Sequence, residues 1–472
     1  MSDKKQIYKP RPVSGFPEWL PEVRLVEQQW LDHIRKVFES YGYASIETPA
    51  VEELNVIQAK GGANDSGGGA DVDKEVYVLE RLHKEDGDKE ARLALHFDQT
   101  VPLARYVAQH FNELTFPFKR YQMQKVWRGE RPQAGRFREF YQCDIDVINP
   151  ENLPLHFDAE MPAIIWEILA ALPGMQNEKI QLRISNRKIV MGFIDALGIF
   201  SPAQKANVIR LIDKRDKLSK EDFESLIVKA VQESSARVPQ ASIDVFKKFF
   251  VMADSLKTET IKGQLEALRH PAALKNVNDN KTYQEGLEEL AFVIENLSHL
   301  PKGAIIADLS IVRGLDYYTG TVYETVFVDD PGYGSICSGG RYDDLAGNYI
   351  NKHLPGVGIS IGFSRLFDRL RQQNKLPVGK VSPTDILVTL MDENLRPDAA
   401  KKAKELRDKG FNVEMFHKGG NPKKQFEYAE KKGIPFVFIP KQDAPGVWEV
   451  KNMATREQKP EQEWLKEKTR AA

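Results

Sequence analysis

Apolar residues recur at helical spacing just after Pro21. Val26, Trp30, Ile34, Val37, Phe38 and Tyr41 share one face, which predicts an amphipathic helix that Gly42 ends. Residues 44–48 read as a short strand halted by Pro49. Strands follow over 76–79 and 93–97, a helix over 101–109, and a long alternating strand over 137–148. Asp158 is placed to cap a helix over 159–172 that stops at Pro173-Gly174. From about 183 to 300 Lys, Glu and Ala rise and strand texture vanishes, which predicts a mostly helical insert. Strand texture returns over 305–311 and 322–328, then a glycine-rich turn over 338–341. Residues 356–370 run from a glycine-spaced strand into a helix.

Beyond Pro377 and Pro383 the pattern becomes strand 386–390, helix 397–409, strand 413–416, helix 423–432 and strand 435–439. Gly410 and Gly433 stop the two helices, and the alternation is that of a parallel α/β unit. The expected organisation is α+β. A mixed antiparallel core occupies 1–182 and 301–376, a helical insert 183–300, and an α/β module 377–472. No repeat of 20–50 residues is visible, so solenoids and propellers drop out.

Composition narrows the class without naming a function. The 67 basic and 68 acidic residues nearly cancel, which excludes a polycationic arm and an acidic disordered chain but not local charged patches. Two cysteines, Cys143 and Cys337, build neither a disulfide framework nor a zinc site and fit a reducing compartment. No apolar run is long enough for a membrane span, and residues 1–10 lack the apolar stretch of a signal peptide. The expectation is a soluble, cytoplasmic, multidomain protein.

Three segments carry candidate chemistry. Arg128, Arg131, Arg136 and Arg138 surround a Pro/Gly loop between two strands, and the following strand puts Arg138, Phe140, Gln142, Asp144 and Asp146 on one face. Guanidinium groups bind phosphate bidentately and an aromatic face stacks a base, although a solvated hairpin with surface ion pairs has the same pattern. The stretch Arg313-Gly314-Leu315-Asp316-Tyr317-Tyr318 offers a cation, an acid and two phenols beside open main chain; a turn with core tyrosines is the alternative. In Gly356-Val357-Gly358-Ile359-Ser360-Ile361-Gly362 the alternate glycines let a flat group approach one strand face, and Arg365 opens the next helix. The glycines at 61–69 lack the ending of a phosphate-binding P-loop and read as a flexible lid. The nine histidines are scattered, and Cys143 falls on the apolar face of its strand.

Taken in order, residues 30–51, 128–142 and 356–365 resemble motifs 1, 2 and 3 of the class II aminoacyl-tRNA synthetases. The stretches 313–318 and Gly339-Gly340-Arg341-Tyr342-Asp343 resemble the two motifs special to the histidyl-tRNA synthetase family, and the likeness runs from Pro10 to about Pro440. The segment His96-Phe97-Asp98-Gln99-Thr100 is closer to the eukaryotic-type form of the pocket than to the bacterial one.

The resemblance implies an ATP-dependent ligase that activates L-histidine and transfers it to tRNA(His), with Mg²⁺ accompanying ATP and no protein motif for a resident metal. It places histidine binding on Asp98, Gln99, Thr100, Arg128, Gln142, Asp146, Arg313, Tyr317 and Tyr318, with Arg128 and Arg313 catalytic. ATP falls to Arg128, Glu130, Arg136, Phe140 and Arg365, and the tRNA acceptor end to Arg131, Gln133 and Arg136. It further implies a homodimer built on the first helix and the strand near Ile46, and an anticodon-binding role for the last module; the insert is taken, as a separate hypothesis, to clasp the tRNA acceptor arm. The competing reading is a histidine-biosynthesis regulatory subunit that shares the core but does not charge tRNA. The intact arginines and the extra module argue against it.

Overall fold

The computed structural model describes residues 8–58, 75–81, 92–132, 135–199, 201–212, 215, 218–232, 240–257, 260–270, 277–312, 318–343, 346–347, 349–441, 443–444 and 446–469. The glycine-rich stretch 61–69, together with Gln133, Arg313 and Tyr317, lies outside the described residues. The chain forms two compact units, Met1–Pro17 with Asp32–Lys375 and Glu18–Leu31 with Leu376–Ala472.

An eight-stranded sheet organises the first unit. Its strands run in the order Ala44–Ser45, Phe118–Trp127, Glu139–Ile148, Gly356–Ile361, Cys337–Tyr342, Tyr318–Phe327, Ile180–Asn186 and Ile305–Ala307. The two outermost pairs are parallel and every pair between them is antiparallel. A smaller antiparallel sheet of Val51–Glu53, Leu93–Leu95 and Val78–Leu79 accompanies it.

The expected apolar stripe is real: Val26, Trp30, Ile34, Val37 and Phe38 of the helix Pro21–Ser40 are buried. Gly42 follows with φ +79°, the left-handed conformation that only glycine adopts freely. Tyr41 falls past the helix end and donates from its hydroxyl to Glu167 at 2.7 Å.

Several elements differ from the sequence expectation. Residues 338–341 are not a turn but the middle of the strand Cys337–Tyr342, paired on both sides. The glycines sit there because a Cβ on Gly339 would stand 2.1 Å from the Gly358 carbonyl oxygen. Asp158 does not cap its helix, which begins at His156. It is fully buried and receives Arg341 Nη2 at 2.6 Å. The strand Ile180–Asn186 continues past Arg183 into the sheet, so helical texture begins only at Arg187.

The helices Arg187–Ala196 and Lys281–Asn296 meet at two glycines. A Cβ on Gly192 would lie 2.4 Å from Tyr283 N, and one on Gly286 2.7 Å from Ile189 N. Position 192 meets 283 while 189 meets 286, so the helices run antiparallel.

The second unit carries a five-stranded sheet in the order Val413–Met415, Ile386–Val388, Phe436–Pro440, Trp448–Asn452 and Gln458–Pro460. The first three strands are parallel, as their β-α-β-α-β pattern requires, and the last two add antiparallel. Ile386, Leu387, Val388, Leu406, Val437, Phe438 and Trp464 lie in its core. Gly433 ends the helix Pro422–Lys432 in the left-handed conformation, φ +66°.

Candidate active site

Strand register builds the site on one face of the large sheet. Gln122, Asp144, Ser360 and Ser338 lie side by side across four strands, and Arg120, Asp146, Gly358 and Gly340 form the next row. A cavity opens over these rows, lined by Thr100, Asp144, Asp146, Tyr318, Ser338, Tyr342, Gly358, Ile359 and Ser360. Two glycines in the second row leave room for the side chains of Asp146 and Tyr318 to lie over them. A Cβ on Gly358 would stand 2.0 Å from Asp146 Oδ1, and one on Gly340 would stand 2.9 Å from the Tyr318 ring.

Asp146 is fixed from two sides. Arg120, itself fully buried, brings Nη2 within 2.5 Å of Oδ2, and the Tyr342 hydroxyl donates to Oδ1 at 3.0 Å. Burial pushes the Asp146 carboxyl up to about 6 against the pull of Arg120 and the Tyr342 bond. Asp144 is pushed up further, to about 7, again by burial, with Asp146 and Asp98 adding to it while Arg120 and Ser360 oppose. Two acids so close on one strand titrate as a pair.

Asp98 Oδ1 accepts from Val101 N at 3.2 Å, at the start of the helix Thr100–Gln109. Arg128 donates from Nε to the Phe97 carbonyl at 3.2 Å. Its guanidinium carbon lies 4.4 Å from the Phe97 ring centroid and 5.2 Å from that of Phe140. This places the cation beside two aromatic rings. Gln142 donates from Nε2 to the Ser360 hydroxyl at 3.0 Å. Gln99 is fully buried, and its Nε2 donates to the Gln124 and Gln142 carbonyls at 3.1 Å each. That side chain braces the sheet rather than facing the cavity.

The arginine-rich loop supplies a second polar cluster. Arg136 pairs with Glu130 at 3.3 Å, and Arg131 is exposed. Arg365, at the start of the helix Phe363–Gln372, stacks its guanidinium 4.7 Å from the Tyr333 ring centroid and donates to the Tyr333 carbonyl. The Tyr333 hydroxyl returns a bond to the Arg365 carbonyl at 2.8 Å. No group of three or more His, Cys, Asp or Glu side chains suited to a metal ion occurs among the described residues.

The structure thus brings Thr100, Asp146 and Tyr318 together around one cavity; Asp98 lies two residues before Thr100, and Arg128 bonds to the carbonyl of Phe97. Sequence reasoning missed Arg120, Ser338, Tyr342 and Ser360, which enter through register between distant strands. It placed Asp144 on the face it shares with Gln142 and Asp146 but gave that acid no role.

Comparison with known proteins agrees with this geometry. Residues 15–366 match the family model described as histidyl-tRNA synthetase, and residues 380–464 match that of an anticodon binding domain. The chain is 48% identical over 456 residues to the histidine--tRNA ligase of Thermobifida fusca, covering 96% of this chain and 97% of that protein. It superposes on the histidyl-tRNA synthetase from Nostoc sp. PCC 7120 with a TM-score of 0.83 at 38% identity, over 99% of this chain and 100% of that one. A structure described as an ATP phosphoribosyltransferase regulatory subunit/histidyl-tRNA synthetase from Bacillus halodurans C superposes with a TM-score of 0.65 over 87% of this chain and 93% of that one. Its identity is 19%, so that likeness is one of fold alone. With most of its length matched by the family model and by close relatives, the chain belongs to the histidyl-tRNA synthetase family.

Proposed function

We infer that the chain is a histidine–tRNA ligase. It joins the carboxylate of L-histidine to the α-phosphate of ATP, releases pyrophosphate, and passes the histidyl group to the 3′ end of tRNA(His). The observation that carries this reading is the cavity itself, where Asp146, paired with Arg120, and Tyr318 lie over the glycines Gly358 and Gly340. Such a slot suits a planar ring that donates hydrogen bonds. A site built on buried hydrogen bonds rejects ligands lacking them by about 10⁴–10⁵.

The difficulty of the first step is electrostatic. A carboxylate and a phosphate oxygen approaching to about 4 Å repel by roughly 4 kcal/mol at an effective dielectric near 20. Arg128, which lies beside the Phe97 and Phe140 rings, offsets that repulsion without reorganising during the reaction. Arg313 is assigned the same role through its motif. The attacking carboxylate is already ionised, so no general base is needed. Asp98 takes the substrate ammonium and Thr100 closes the pocket beside it. Gln142, Tyr317 and Tyr318 complete the contacts, and Gln99 contributes by bracing the strands.

Phe140 stacks the adenine, and Arg136 and Arg365 hold the outer phosphates. Mg²⁺ enters on the ATP phosphates, with Glu130 beside Arg136 as the neighbouring carboxylate. Arg131 and Gln133 meet the acceptor end of the tRNA, and the second unit binds the anticodon, in keeping with its family match. The working form is a cytoplasmic homodimer. No helix among the described residues is long and apolar enough to cross a membrane.

ATP–pyrophosphate exchange with each of the twenty amino acids tests the reading. Exchange with histidine alone is expected. Exchange with none, in folded protein, would favour the regulatory reading instead.

A further inference from the structure

Three arginines stand on the helix Phe363–Gln372, and they are held in different ways. Arg369 pairs with Asp330 and Arg371 with Asp368, so both charges are met within the protein. Arg365 makes no ion pair among the described residues. Its Nη2 donates to the Tyr333 carbonyl, its guanidinium carbon lies 4.7 Å from the Tyr333 ring centroid, and its Nε is buried with no hydrogen-bond partner. An aromatic face and a neutral carbonyl orient a guanidinium without cancelling its charge. The residue stays partly exposed, so that charge is open to an anion.

Tyr333 is itself fixed. It ends the short turn Pro331–Tyr333, its N–H donates to the Asp330 carbonyl at 3.1 Å, and the Arg369 guanidinium carbon lies 4.7 Å from the same ring centroid. Its hydroxyl donates to the Arg365 carbonyl at 2.8 Å, which makes the pair reciprocal. The loop that carries Arg136 passes against the same hydroxyl. A Cβ on Gly135 would stand 2.6 Å from it and 3.3 Å from Arg365 Cγ. One side chain thus touches both places where the reading above puts an outer-phosphate cation.

We propose that Tyr333 is a positioning residue for ATP, which keeps the Arg365 guanidinium in place for the phosphates of the nucleotide. The proposal rests on the assignment of Arg365 to ATP and adds the group that makes that cation effective. A long side chain free in water loses rotamer freedom each time it binds, whereas one already held on a ring does not.

Titration calorimetry with Mg²⁺ and ATP tests this without turnover. Tyr333→Leu should weaken ATP binding about tenfold, whereas Tyr333→Phe, which keeps the ring, should stay within about threefold of wild type. The KM for histidine in pyrophosphate exchange should move in neither. A residue that acts through Arg365 adds nothing once that cation is gone. Tyr333→Leu combined with Arg365→Ala should therefore bind ATP no more weakly than Arg365→Ala alone. Full addition of the two losses overturns the proposal, as does wild-type affinity in Tyr333→Leu or an equal loss in Tyr333→Phe. Should Tyr333→Leu not fold, Tyr333→Met fills the same space and is read in the same way. Undiminished ATP binding in Arg365→Ala would defeat the assignment of Arg365, and the proposal with it. The expected ATP losses without histidine-dependent exchange would support the role of Tyr333 and defeat only the histidine reading.

Discussion

Gly358 sits directly across the antiparallel pair from Asp146, so close that a methyl group on it would stand 2.0 Å from Asp146 Oδ1. The absence of a side chain at one position thus fixes where the acid at the other can lie. Gly358→Ala would push the Asp146 carboxylate off its seat between Arg120 and Tyr342. Overpacking of this kind costs about 1–3 kcal/mol, and we expect histidine kcat/KM to fall about 10²-fold with little change in the KM for ATP. Pyrophosphate exchange measured against each substrate in turn checks this. A parallel rise in both KM values would mean that Gly358 serves the whole site rather than the amino-acid ring.

Arg341 and Asp158 form a buried pair, with Nη2–Oδ2 at 2.6 Å and Nε within 3.1 Å of both oxygens. It ties the strand Cys337–Tyr342 to the helix His156–Ala171 on the side of the strand away from Tyr342. Removing one partner strands the other charge, so Asp158→Asn should cost about 3–5 kcal/mol in urea unfolding. Replacing both, Arg341→Met with Asp158→Leu, should recover most of that loss. A double variant as unstable as the single one would show that the pair's hydrogen bonds, including Arg341 to the Leu153 carbonyl, matter more than its charges.

Those two residues also mark where the sequence stops being legible. The helix Pro21–Ser40 and the α/β pattern of the second unit could be read because burial periodicity and glycine stops are local signals. The strand Cys337–Tyr342 looked like a turn because Gly339 and Gly340 are punctuation almost everywhere else. Only the neighbouring strands show that a Cβ at either would collide. Asp158 looked like a cap because a preference for helix starts is visible in sequence, whereas an arginine 183 residues away is not. The family motifs pointed to Asp146, Arg128 and Arg365, and of these the structure puts Asp146 on the cavity wall. Arg120 and Ser360 belong to the site only through register, which one chain read alone does not contain.

The raised carboxyls make stability depend on pH in a definite direction. Asp144 and Asp146 hold their protons to about 7 and about 6 in the folded protein, against an ordinary value of 3.8. Between about pH 4 and pH 7 the folded state therefore binds more protons than the unfolded one, and stability contributed by the pair is lost as pH rises. Asp144→Asn removes one of the two titrations. In denaturant unfolding without substrate, the variant should gain on wild type from pH 5 to about pH 7 and level off above that. A stability difference that is flat across that range would show that Asp144 stays ionised throughout.

The helices Arg187–Ala196 and Lys281–Asn296 cross antiparallel at Gly192 and Gly286, so the chain leaves the core near 197 and returns near 280 at the same end of the pair. Replacing residues 198–279 by a short linker keeps both helices but uncovers Phe193, which packs on Phe246 and Phe249, whereas removing 183–300 would take a sheet strand with it. The excision does remove Lys257, which pairs with buried Asp308 at 3.1 Å, and Gln264, which accepts from Ala307 N at 2.8 Å. A stability loss of about 1–3 kcal/mol is expected from those two contacts. If the insert clasps the tRNA acceptor arm, tRNA charging should fall at least about tenfold further than pyrophosphate exchange, a difference of about 1.4 kcal/mol in transition-state stabilisation. The two activities measured on one preparation give a ratio that partial unfolding does not alter. An unchanged ratio would assign the insert to stability, with Lys257 and Gln264 as its means, and leave acceptor-arm contact to the loop that carries Arg131.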